Sequence, residues 1–113
     1  MDTKRINEIT NEVRVLKYMR IQAGLSLRKA GLLLRITDGA IGHLENGRML
    51  LPAGRIEQMV TAYGFTMNEF FTLSRSKKIP DNRREECLQV LKVIPNSKLE
   101  DAFTYLNSLR KGL

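Results

Sequence analysis

The chain has 113 residues, of which 42% are hydrophobic, enough for one compact domain and an appendage. No stretch is long and apolar enough to span a membrane, and no apolar run follows Met1-Asp2-Thr3-Lys4-Arg5, so a cytoplasmic protein without a signal peptide is expected. One cysteine, Cys87, excludes an internal disulfide and a cysteine-based metal site, and the single histidine, His43, argues against zinc. Nineteen Lys+Arg against twelve Asp+Glu give +7, which favours a polyanionic partner. On charge alone, a nucleic-acid ligand and mere solubility weigh equally.

The apolar residues recur every three or four positions, and almost nothing alternates as a strand does, so the expected fold is all-α. Ile6, Ile9, Val13, Leu16 and Met19 form the stripe of a first helix. Asp2 or Thr3 caps it early, or Thr10 or Asn11 caps it late; the pattern does not choose. Gly24 ends it. Ser26 caps a second helix running to about Arg35, and Thr37 caps a third, ended at Gly47. Pro52 starts a fourth, carrying Ile56, Met59, Val60 and Tyr63 and closed by Gly64. Thr66 caps a short fifth with Phe70 and Phe71.

Composition then changes. Residues 75–84 hold five basic residues and a proline and read as a linker. Beyond it, Leu88, Leu91 and Ile94 share a helical face, and Pro95-Asn96 breaks that helix. Ser97-Lys98-Leu99-Glu100 has capping-box spacing. Leu99, Ala102, Phe103, Leu106 and Leu109 mark a last helix. The expected organisation is a domain over 1–73 with an N-terminal helical extension, then a basic linker and helical hairpin over 74–113.

The pairing of Gly24-Leu25-Ser26 with Thr37-Asp38-Gly39-Ala40-Ile41-Gly42-His43-Leu44-Glu45-Asn46-Gly47 carries the most information. It describes two short helices joined by a tight turn, with Leu33, Ile36, Ile41 and Leu44 spaced for a shared core and Ala30 small enough for close packing. Together with Arg48 and Pro52, this pattern resembles the helix-turn-helix of the Xre, or lambda-repressor-like (Cro/C1-type), regulators over residues 10–71. Arg20-Ile21-Gln22, Gly24-Leu25 and Leu44-Glu45-Asn46-Gly47 are most similar to the lambdoid phage repressors.

The resemblance implies a five-helix DNA-binding domain that reads the major groove with helix 37–46 and recognises double-stranded DNA, in a dimeric repressor. It implies a salt bridge between Arg20 and Glu45. It places Asp38, Gly39, Ala40 and His43 toward bases, and Ser26, Arg28, Thr37, Asn46 and Arg48 toward phosphates. Asp38 either accepts from a cytosine amino group or merely stabilises the helix N-terminus. Gly39 and Gly42 carry no side chain for readout. Leu27 stands where the family often has a phosphate-gripping glutamine, and Met49-Leu50-Leu51 is apolar where phage repressors are basic. These departures keep open a second reading, an interaction module with weakened DNA binding that serves as antagonist, co-regulator or antitoxin, with an antagonist or toxin as its protein partner. The tail is expected to dimerise through Leu88, Leu91, Leu99, Phe103 and Leu106, or to pack on its own domain. No nucleophile-base set, phosphate loop or metal spacing occurs, so no enzyme activity, cofactor or metal is expected. Cys87 is expected to be buried.

Overall fold

A computed structural model of the chain describes residues 9–80 and 82–111. Among them are seven helices and no strand: α1 (Asn11–Gln22), α2 (Leu27–Leu34), α3 (Asp38–Glu45), α4 (Ala53–Ala62), α5 (Met67–Ser74), α6 (Arg83–Val93) and α7 (Asn96–Arg110). The chain forms two compact units, divided after Asn82.

Local chemistry sets most boundaries in the first unit. The hydroxyls of Thr10, Ser26, Thr37 and Thr66 each accept from the backbone N–H three residues on, at 3.0–3.3 Å. Each satisfies a donor that the first helical turn leaves orphaned. Thr10 therefore decides the start of α1 in favour of the later cap. Asp2 and Thr3, the earlier cap candidates, and Ile6 of the expected stripe lie outside the described residues. At Thr66 the cap is reciprocal, since Glu69 Oε1 accepts from the Thr66 N–H at 2.9 Å.

Three helices in this unit end on a glycine in the left-handed region, Gly24, Gly47 and Gly64. After α2 that place is taken by Arg35, with φ 58° and ψ 40°, and the Ile36 N–H donates to Gly31 O at 3.0 Å. A left-handed non-glycine residue costs about 1–2 kcal/mol, partly offset because glycine loses more freedom on folding. Arg35→Gly should therefore raise stability by a net amount of about 0.5–1 kcal/mol. A urea midpoint at or below the parent's would contradict this.

The core joins Val15, Leu16 and Met19 of α1 to Ala30, Ile41, Leu44, Met59, Val60, Tyr63 and Phe70. α1 touches α3, α4 and α5. It is therefore buried over more than one stripe, and Val15, Arg20 and Ile21 are inside as well as Val13, Leu16 and Met19. Ile9, before the cap, is 40% exposed. Leu33 does not join the shared core. It is exposed, and its neighbour Leu34 packs there with Ile36, because one residue along a helix turns the side chain by about 100°.

The first compact unit runs to Asn82. Ile79 packs against the core, and Asn82, 9% exposed, belongs to the first unit. In the second unit, α7 starts at Asn96 with Pro95 as its N-cap and no side-chain cap bond. The expected box at Ser97–Glu100 does not form because those residues already lie inside the helix. Cys87 is exposed rather than buried. No residue of α6 or α7 is buried.

Candidate nucleic-acid interface

α2 and α3 meet across a turn of three residues, Arg35, Ile36 and Thr37. Gly31 makes that turn possible. A Cβ there would lie 2.7 Å from Ile36 O and 3.2 Å from the Asp38 N, both backbone atoms. The sequence reading credits close packing to Ala30 alone and misses Gly31. A glycine inside a helix that costs about 1 kcal/mol relative to alanine is the signal that could have found it.

Behind α3 sits a buried ion pair. Arg20 Nε donates to Glu45 Oε2 at 2.6 Å and Nη2 to Oε1 at 2.9 Å. Both side chains are almost wholly buried. Nη1 donates to Leu25 O at 2.7 Å, so one guanidinium ties together α1, the α1–α2 turn and the end of α3. The fork geometry is the strong form of such a pair. The Tyr63 hydroxyl is buried nearby without a hydrogen-bond partner among the described residues. Burial first, and then the Glu45 carboxylate, push its pKa well above the ordinary phenol value.

The outer side of α3 is open. Asp38, Gly39, His43 and Asn46 are exposed, and Ala40 and Gly42 are half-buried. Asp38 Oδ1 accepts from the Gly39 N–H at 2.9 Å, so this carboxylate stabilises its own helix start. The fold does not require Gly39 or Gly42. A Cβ at Gly39 would meet only Thr37 Oγ1 at 4.0 Å, and one at Gly42 only Leu27 Cδ1 at 3.9 Å. Basic side chains lie close along the chain on both sides: Arg28 and Lys29 in the first turn of α2, Arg35 in the turn, and Arg48 after α3, all exposed. The hydroxyls of Ser26 and Thr37 each accept one cap bond. Asn46 is the C-cap of α3, and Arg48 N–H closes the helix end on His43 O at 2.8 Å.

The apolar residues flagged by sequence divide. Leu51 packs toward the core, whereas Leu50 is 76% and Leu27 37% exposed. Met49, Leu50 and Leu51 line a groove of about 560 Å³ with Val13, Ala53 and Ile56.

Two short helices at a tight turn, the second locked from behind and open in front, define a helix-turn-helix, the arrangement of DNA-binding regulators. The helix-turn-helix domain family model matches residues 13–70, more than half of the chain, and the chain belongs to that family. No curated protein and no solved structure matches it. No group of metal-ligating side chains occurs among the described residues, and none of their helices is long and apolar enough to cross a membrane.

Proposed function

We propose that this protein is a dimeric, sequence-specific repressor of the Xre, lambda-repressor-like kind that lays α3 in the major groove of double-stranded DNA. The observation that carries the reading is the open outer face of α3, fixed from behind by the Arg20–Glu45 fork. Asp38, Gly39, Ala40 and His43 face the bases, and Ser26, Arg28, Thr37, Asn46 and Arg48 face phosphates. The two glycines let the α3 backbone come close to the groove. The net charge of +7 supports the electrostatic part of binding. Dimerisation runs through the tail. Leu88, Leu99, Phe103 and Leu106 are exposed, Leu91 is half-buried, and a unit this small without a core is not stable alone in water.

The test is binding to duplexes selected from a random pool, compared with random DNA across a salt series, with the mass taken by light scattering. The parent should be a dimer, and its affinity should fall steeply with salt as counterions are released. Arg48→Ala should weaken binding to every duplex and make the salt slope shallower by about 1. His43→Ala should cost about 1–3 kcal/mol at the selected site only. No preference for any duplex would defeat the repressor reading.

One observation favours a second reading, an interaction module serving as antagonist, co-regulator or antitoxin. Leu50 stands open to solvent at the edge of an apolar groove, the kind of patch that meets proteins. A defined complex with a protein partner that is lost in Leu50→Glu, together with absent duplex preference, would select it.

A further inference from the structure

Among the described residues, Arg35 is the non-glycine residue with a left-handed backbone. The helix stop it makes uses backbone atoms alone, the Ile36 N–H donating to Gly31 O, and three other helices stop on glycine. Backbone strain of this kind persists where a side chain serves something other than stability.

The Arg35 side chain lines a groove of about 480 Å³ between α2 and α4, to which α3 contributes no residue. Leu33, Leu34 and Ala62 form its apolar wall, and Glu57 stands on its α4 side. Leu33 is 56% exposed and the adjacent Leu32 72%. Two such leucines in a helix of eight residues make a patch rather than a scattered surface residue. Gln58, also in the groove, accepts from Arg55 Nη1 at 3.0 Å. Arg35 and Glu57 are exposed, and neither side chain has a partner among the described residues.

Charge selects the occupant. On a chain of +7, most faces repel a second copy. Among the residues lining this groove the charges balance, one cation against one anion, so two copies can approach here. One charge of each sign beside an apolar wall is also self-complementary. A two-fold axis through the wall sets Arg35 of each copy against Glu57 of the other, making two pairs at once. A polyanion gains little from a balanced surface. We propose that the α2–α4 groove is a two-fold contact between copies of this chain, with Leu32 and Leu33 at its centre and reciprocal Arg35–Glu57 pairs at its rim. The contact lies wholly within the first unit and depends neither on the tail nor on DNA binding. Arg35 is kept against its backbone strain as the cation of that pair.

The mass of the full chain is measured by light scattering, without DNA, from low micromolar concentration to about 1 mM. The parent's mass should rise about twofold across the range, above whatever value the tail sets at its lower end. Arg35→Gly, which should fold more stably than the parent, should associate about fivefold more weakly, because two exposed pairs are lost. Arg35→Glu and Glu57→Arg each set like charges together, and either variant alone should show no rise. Their equimolar mixture should regain it, since each variant supplies the charge that the other lacks. A parent whose mass does not change with concentration overturns the proposal. Charge variants that associate as the parent does, or a mixture as weak as its components, overturn it equally. If a charge variant does not fold, Arg35→Gly decides the matter, and association equal to the parent's in that variant refutes the contact.

Discussion

Glu45→Ala should lower the stability of the helix-turn-helix unit by about 3–5 kcal/mol, the cost of removing one partner of a buried ion pair. The geometry leaves Arg20 little alternative. Its side chain and that of Glu45 are 4% and 6% exposed. Without the carboxylate, the guanidinium loses both bonds of the fork and the opposite charge that balances it in a low-dielectric site. A domain of this size has about 5–15 kcal/mol in total, so the loss is a large fraction of its stability. The effect belongs to the unpaired charge rather than to lost packing. Arg20→Met combined with Glu45→Leu, which removes both charges and keeps the volume, should therefore recover most of the loss. Urea unfolding of the parent, the single variant and the double variant checks both points. Equal midpoints for Glu45→Ala and the parent would refute the first. A double variant as weak as the single would refute the second.

The sequence made this pair legible because two letters, Arg20 and Glu45, sit in motifs whose local structure was also legible. Threonine and serine caps and glycine stops declare themselves within a few residues, since the bonds they make are local. What escaped depends on distant partners or on one residue of phase. Leu33 and Leu34 are equally apolar, and only the docking of α3 tells them apart. The segment after α5 reads as a charged linker because the core that Ile79 joins and the α1 partners of Asn82 lie far away in the sequence. In the tail, periodicity announces an apolar face but not what covers it. Cys87 therefore was expected inside and lies outside. At the candidate interface, the family resemblance marked the departures at Leu27, Gly39 and Gly42, yet only the spatial surroundings separate a glycine the fold needs from one it merely tolerates.

Gly31→Ala should destabilise the protein even though alanine is the better helix former. Propensity alone favours alanine by about 1 kcal/mol. Against that, the new methyl would stand 2.7 Å from Ile36 O, 3.2 Å from Asp38 N and 3.4 Å from Thr37 C. All three atoms are backbone, so no flexible side chain can swing away. The turn itself must move, and with it the start of α3. Overpacking of this kind costs about 1–3 kcal/mol, which outweighs the propensity gain. Gly39→Ala and Gly42→Ala supply the control on the same pair of helices. Their methyls would meet nothing closer than 3.9 Å, so each should gain up to about 1 kcal/mol. Urea midpoints for the three variants should therefore fall on opposite sides of the parent, Gly31→Ala below and the other two above. A Gly31→Ala protein more stable than the parent would show that the turn accommodates the methyl. DNA binding then separates the roles of the glycines. Gly31→Ala should bind every duplex more weakly, because α3 is displaced. Gly39→Ala and Gly42→Ala should weaken binding although they stabilise the fold, because the added methyls hold the α3 backbone away from the groove. Unchanged affinity in both of those variants would show that close approach of α3 plays no part in binding.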